Sequence, residues 1–221
     1  MNQPVVVVGA SGHGTVVADM FLKQGKFDVL GFIDSYKAAG SDHCGYRILG
    51  TEAILPEVLC RHYGLGCIVA IGDNSIRSQM VERIESIAPD LPFITAIHPS
   101  AQIGSCVLVG AGSVVMAGVV INANTTIGAH CIVNTSASLD HDNRWGDFSS
   151  IGPGGTTGGN VTVDEFSAVA QRAVILHGRR VGPHTVVGAS ATVLKDLPGY
   201  VVAYGTPARI IRARQSGEKY L

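Results

Sequence analysis

Every sixth residue from Ile97 to Val193 is apolar, with one exception. The series runs Ile97, Ile103, Val109, Val115, Ile121, Ile127, Val133, Leu139, Trp145, Ile151, Thr157, Val163, Val169, Ile175, Val181, Val187, Val193. The residue four after each is as a rule small (Ala101, Ser113, Thr125, Cys131 and Ala137 among them), with Asn143 and Arg179 as the exceptions. Glycine often follows the aliphatic residue directly, as at Gly104, Gly110, Gly128, Gly146, Gly152, Gly158, Gly182 and Gly188. A period of six fits neither a helix nor the two-residue alternation of a hairpin; it is the repeat of a parallel β-helix. Three six-residue units close one triangular coil. The aliphatic side chains fill the prism, the small residues sit inside its corners, and the glycines are expected at turns that need φ > 0.

The same register explains the composition. The chain has 221 residues, 28 of them glycine, with 15% charged residues and a mean hydropathy of +0.30. Of its 33 Asp, Glu, Lys and Arg, ten fall between Ile97 and Lys195. A solenoid pairs its backbone coil to coil and buries its inward positions. Outer walls this poor in charge are expected to meet other subunits. No run approaches the ~18 apolar residues of a membrane span. A net charge of -1 leaves no electrostatic footprint for nucleic acid. The five cysteines show neither C-x-x-C nor zinc-ligand spacing, so no metal is expected, and their scatter fits a reducing, cytoplasmic setting. The opening MNQPVVVV lacks the basic segment of a signal peptide.

Residues 1–90 alternate strand and helix in the manner of a small Rossmann-like unit. Val5–Val8 reads as a buried strand, Gly9-Ala-Ser-Gly12-His13-Gly14 as a glycine-rich turn, and 15–23 as a helix. A second strand ends at Asp34-Ser35. The segment Ala70-Ile71-Gly72-Asp73-Asn74-Ser75-Ile76-Arg77 follows another strand at the same edge. Gly12, His13, Asp34, Ser35, Ile71, Gly72, Asn74 and Arg77 are therefore expected to line one crevice, with the loop and helix N-terminus facing a phosphate. The tight strand-to-helix turn and a turn aspartate are the plainer readings of Gly12 and Asp34. Helix 75–87 is expected to bury Ile76, Met80, Ile84 and Ile87. The organisation is then a Rossmann-like domain over 1–90, a β-helix over 91–198 and a C-terminal tail over 199–221.

The pieces VVVVGASGHGTVV, Phe32-Ile33-Asp34, AIGDNSIR, IHPSAQIG, SLDHDNRWGDFSSIGPG and YGTPARII together resemble the PglD-type nucleotide-sugar N-acetyltransferases and the related NeuD-type sialic acid O-acetyltransferases, over nearly the whole chain. The resemblance implies a left-handed β-helix, acetyl-CoA as co-substrate, and a homotrimer with active sites at subunit interfaces. It also implies that His141, followed by the acidic Asp142, matches the family's catalytic histidine. The family's second histidine is replaced here by Ser150.

Acetyl transfer from a thioester to an amine needs a base for the amine proton and a donor for the oxyanion. Histidine suits the base, and a neighbouring carboxylate holds the imidazole and stabilises its charged form. The run Asp140-His141-Asp142 meets that need, with His141 as base and Asp142 as its orienting partner. One coil on, Gly159 leaves space beside the imidazole. His177 lies two coils on, an expected ~10 Å away, bordering the pantetheine arm of the donor. Ser150, Gly159, Gln171, His177, Ala189, Lys195 and Pro207 are the expected acetyl-CoA contacts. The leading reading is N-acetylation of a nucleotide-linked amino sugar, in particular a UDP-4-amino-4,6-dideoxy sugar. The alternatives are O-acetylation of a sugar such as sialic acid, and a nucleotide-binding scaffold without chemistry.

Overall fold

The computed structural model describes residues 2–220. Its first part is a sheet in which Gln3–Val8 (β1) lies between Phe27–Ile33 (β2) and Gly66–Val69 (β5), all parallel. Tyr46–Gly50 extends it parallel to β2, and Asp42–His43 closes the edge as a hairpin. Val5, Val6, Val7 and Val8 are buried on both faces, which is why β1 reads as an unbroken apolar run. Helix Gly12–Gln24 (α1) starts at Ser11, whose hydroxyl accepts from the Gly14 N–H, and stops at Gly25 in the left-handed region. The glycine loop, the end of β2 and the end of β5 meet at the carboxyl edge of the strands, the usual crevice of an open α/β sheet.

From Ala96–Ile97 to Thr192–Val193, seventeen two-residue strands follow at six-residue intervals. They stack into three parallel walls. Wall I runs from Gln102–Ile103 to Thr192–Val193, wall II from Leu108–Val109 to Arg180–Val181, and wall III from Ala96–Ile97 to Val186–Val187. Each strand pairs with the strand eighteen residues on, as in Val120↔Ser138 and Ile121↔Leu139. The hexad residues fill the prism: from Val115 to Val193 all are buried, Thr157 included. Residues 199–220 are not a separate tail. Val201–Tyr204 and Arg209–Ala213 add two more strands to wall III, the last antiparallel.

The corners correct one expectation. The glycines that follow the aliphatic residues do not adopt positive φ. They are needed because the next coil passes too close: a Cβ on Gly104 would lie 2.7 Å from the Ala123 nitrogen, and one on Gly158 2.6 Å from the His177 nitrogen. Positive φ falls two residues later, at fifteen successive corners from Cys106 to Ser190, of which only Gly112, Gly118, Gly154 and Gly178 are glycine. The left-handed region costs an ordinary residue about 1–2 kcal/mol. A repeated hydrogen bond offsets it: from Asn124 onward the N–H of each corner residue donates to a carbonyl of the preceding coil, as in Asp142 to Ala123, Phe148 to Ala129 and Asn160 to His141.

Helix Asn74–Ile87 buries Ile84 as expected and packs Met80 and Ile87 against the core, but its buried face also takes in polar residues and leaves Ile76 outside. Asn74, Arg77, Ser78, Val81 and Ile84 are inside, while Ile76 is 39% exposed. Asn74 and Arg77 are buried because they meet backbone acceptors of the β-helix, an interaction that a search for apolar periodicity does not register.

Candidate active site

Three groups of side chains occupy three places. The first is the I–II corner. His141 Nδ1 lies 2.7 Å from Asp142 Oδ2, and the Asp140 carboxylate accepts from the His141 N–H at 2.9 Å. The hydrogen bond to Asp142, with the charge of Asp140 behind it, holds the His141 imidazole above the ordinary histidine value. The same bond holds the Asp142 carboxyl below its ordinary value. Beneath them Asn143 is fully buried and donates to the Asp140 carbonyl at 2.6 Å and the Gly158 carbonyl at 3.0 Å. The corner is thus rigid behind an exposed imidazole. A Cβ at Gly159 would lie 2.6 Å from His141 Nε2, so the expected gap is there and glycine alone preserves it. The His177 ring centroid is 6.2 Å from that of His141, nearer than the ~10 Å expected from coil spacing. The backbones keep their spacing, but the two side chains lean together across the gap.

The second group lines a cleft of about 450 Å³ between the first domain and wall III. Ser150, Gln171 and Ala189 belong to it, with Gly152, Ala170, Tyr204 and Tyr220; His13 and Gly72 form the facing wall. The Gln171 and Ala189 N–H groups have no acceptor among the described residues. His13 is nearly buried, and burial followed by the Arg77 charge pushes its pKa down to about 4, so the ring is neutral near pH 7. Gly159 and His177, grouped with these residues in the sequence reading, stand on the I–II corner instead. Lys195 and Pro207 line neither cavity.

The third group is a crevice of about 300 Å³ at the end of β1, β2 and β5. Asp34, Ser35, Ile71 and Gly72 line it, with Ala10, Ser11, Tyr36 and Glu52. Asp34 Oδ2 accepts from the Ala10 N–H at 2.8 Å, and Oδ1 from Tyr36 and Lys37 at 2.9 and 3.0 Å. Burial raises its pKa, and these N–H donors more than reverse that, leaving it below the usual carboxylate value. Asp34 therefore ties the glycine loop to the loop after β2. Gly9 and Gly14 are required by close packing, whereas a side chain at Gly12 would meet open space. Glu52, which the sequence reading missed, is 1% exposed, accepts from Ser35 at 2.7 Å and pairs with Arg83 at 2.6 Å.

Asn74 and Arg77 are corrections. Each is 1% exposed. Arg77 donates to the carbonyls of Ile71, Gly72, His130 and Phe148 and to Asn74 Oδ1. Asn74 Nδ2 donates to the carbonyls of Phe166 and Ser167. Their polar atoms are spent on joining the two domains and line neither cavity.

A positioned imidazole–carboxylate pair on a charge-poor solenoid, with a glycine-edged groove beside it, defines an acyltransferase of the hexapeptide-repeat class. Residues 4–84 match the PglD N-terminal domain and residues 100–135 the bacterial transferase hexapeptide, six repeats. PerB, the GDP-perosamine N-acetyltransferase of Caulobacter crescentus, solved with CoA and GDP-perosamine, is 35% identical with a TM-score of 0.86, covering 94% of this chain and 96% of that one. The acetyltransferase domain of PglB from Neisseria gonorrhoeae, solved with acetyl coenzyme A, is 31% identical with a TM-score of 0.86, covering 96% and 100%. UDP-N-acetylbacillosamine N-acetyltransferase of Bacillus subtilis is 34% identical over 119 residues; the match spans 51% of each chain, about half the length of that relative. The chain belongs to the PglD-type family of hexapeptide-repeat acyltransferases, with an α/β domain followed by a left-handed β-helix.

Proposed function

We propose that the protein transfers the acetyl group of acetyl-CoA to the amino group of a nucleotide-linked amino sugar, a 4-amino-4,6-dideoxy sugar in the leading reading. The observation that carries this is the His141–Asp142 pair, 2.7 Å apart on an open corner beside the Gly159 gap. The nucleotide occupies the Asp34 crevice, and the sugar extends past Gly72, which lines both cavities. The pantetheine arm runs along the edge of wall III, where the free N–H groups of Gln171 and Ala189 donate to its carbonyls. His141 Nε2 removes the amine proton as the nitrogen attacks the thioester carbonyl. Asp142 keeps Nδ1 protonated and stabilises the imidazolium. Collapse of the tetrahedral adduct breaks the C–S bond, and the imidazolium returns its proton to the departing sulfur.

Within one protomer the cleft and His141 stand at opposite edges of wall I. The outward residues of that wall (Gln102, Val120, Ser138, Thr156, Val174, Thr192) carry no charge. A threefold assembly brings the I–II corner of one subunit to the cleft edge of the next and completes the site. Wall III, by contrast, is covered by the protein's own first domain. A cytoplasmic setting fits the unpaired cysteines.

The test is release of free thiol from acetyl-CoA with nucleotide-linked 4-amino sugars carrying UDP, dTDP or GDP. Turnover with at least one, at a solution mass of three chains of 23.0 kDa, is expected. Acetylation of a free sugar hydroxyl and no amine would replace this reading with O-acetyl transfer. Nucleotide binding without thiol release would leave a scaffold.

A further inference from the structure

Along the I–II corner, the position four residues after each wall I hexad residue reads Val107, Thr125, Asn143, Val161, Arg179. Thr125, Asn143 and Val161 are fully buried on successive coils. The same backbone thus accepts a hydroxyl, an amide or an apolar side chain there, and the amide falls on the coil that carries His141. Its two N–H bonds serve three carbonyls: Asn143 Nδ2 donates to Asp140 at 2.6 Å, to Gly158 at 3.0 Å and to His141 at 3.3 Å. The carbonyls of Asp140 and His141 belong to the peptide planes on either side of His141. The Gly158 carbonyl belongs to the plane that ends in the Gly159 nitrogen. A trans peptide points its N–H opposite to its carbonyl. Holding the Gly158 carbonyl inward therefore aims the Gly159 N–H outward, toward the gap beside the imidazole.

The backbone has little need of this amide for its own hydrogen bonds. The Asp140 carbonyl also accepts from Thr125 Oγ1 at 3.0 Å, and the His141 carbonyl from the Asn160 N–H at 2.9 Å. The Gly158 carbonyl alone has no other donor among the described residues. Against that gain, Asn143 Oδ1 is buried with no partner among them, which is destabilising. A valine, as at position 161, leaves no such atom. What the asparagine adds is alignment.

We propose that Asn143 is a positioning residue for the acetyl transfer, its one buried amide holding the His141 ring and the Gly159 edge of the gap in a fixed relation to each other. This rests on the reading of His141 as the base. The imidazole is exposed and has no packing of its own to orient it beyond its bond to Asp142, so its aim is only as firm as the two peptide planes that carry it. Asn143 clamps both planes from inside the prism and ties them to the coil that bounds the gap.

The experiment compares Asn143→Val and Asn143→Thr, which install the residues that the neighbouring coils carry at this position. Valine removes every donor. Threonine restores one, because the hydroxyl of Thr125 reaches the carbonyl fifteen residues on, and for position 143 that carbonyl is Gly158. Asn143→Val is expected to lose about ten- to a hundredfold in kcat, the scale of a misplaced catalytic group, with KM for both substrates and the melting temperature unchanged. Asn143→Thr should recover part of the rate. Wild-type kcat in Asn143→Val would overturn the proposal, as would a loss confined to KM. If the valine variant does not fold, the threonine variant decides: a lowered kcat at unchanged melting temperature supports positioning, and wild-type kcat leaves Asn143 a purely structural residue. A wild-type protein that releases no thiol with any amino sugar overturns the functional reading instead. The titration of the His141 imidazole, followed by NMR in the wild type and both variants, then decides the role of Asn143. A pKa that falls toward the ordinary histidine value without the amide supports the proposal, and an identical titration ends it.

Discussion

The I–II and II–III corners share one backbone and differ in one column of side chains. Both use the same hexad, the same left-handed residue and the same bond to the coil beneath. At the I–II corner that column reads Asn124, Asp142, Asn160, Gly178. At the II–III corner it reads His130, Phe148, Phe166, His184, then Tyr200. The aromatic rings stack face to face, with centroids 5.0, 5.2, 4.7 and 4.9 Å apart and planes within 16° of parallel. Phe93 of the inter-domain segment closes the stack edge-on at His130. Arg77 and Asn74 bind the carbonyls of that same corner. One corner is thus a covered domain joint, and the other is an open corner with an exposed imidazole, the base of the proposed reaction. The lesson is that the fold sets where a corner residue sits, while its side chain decides whether the corner adheres or reacts.

The comparison breaks most visibly at His141. His141→Ala should lower kcat by about a hundredfold or more with melting temperature and oligomer unchanged, because the ring lies outside the prism and fills no place in the core. Steady-state thiol release beside a thermal melt checks both. At the covered corner the effect reverses in kind. Arg77→Ala removes the donor to four carbonyls and an amide oxygen and should cost about 3 kcal/mol of stability, read by denaturant unfolding. Gly159→Ala presses a methyl onto the His141 ring and should lower kcat by about tenfold through misplacement of the base, with little change in KM.

Two pH experiments refine the contrast. His141 works as a base when deprotonated, so kcat/KM rises with pH through its elevated pKa. Asp142→Asn removes the chief cause of that elevation, and the acidic limb of the profile should move to lower pH. At the II–III corner His130 is pushed from 6.5 down to about 4, first by burial and then by the Arg77 charge. The unfolded chain takes up that proton below about 6.5 and the folded one does not until about 4. Its contribution is therefore complete above pH 6.5 and is lost as pH falls toward 4. His130→Phe, which extends the ring stack, should flatten the fall in melting temperature across that window; an unchanged slope would remove His130 as its source.

The solenoid was legible because its period is local and strict: Ile97 through Val193 name their own positions. The His141–Asp142 pair was legible because its partners are adjacent in sequence. The failures share the opposite property. Asn74 and Arg77 were expected in the crevice because their segment follows a strand at its edge, and the β-helix acceptors that hold them lie 53 to 93 residues away. The Tyr220 contact with Asn74 spans 146 residues and has no spacing to announce it. Glycines Gly104 through Gly188 were placed correctly and explained wrongly, since one residue type answers both to positive φ and to close approach. A non-glycine such as Phe166 in the left-handed region carries no sequence mark at all.

The left-handed corner residue has a further consequence. Its backbone completes the stack whatever its side chain is, and its side chain has no duty inside the prism. The hexad therefore leaves one freely editable letter per corner, with its immediate neighbour, in a text otherwise held to strict spelling. A lineage can turn glue into chemistry, or retire an enzyme into a scaffold, by rewriting as little as residues 141 and 142 while every coil goes on folding as before.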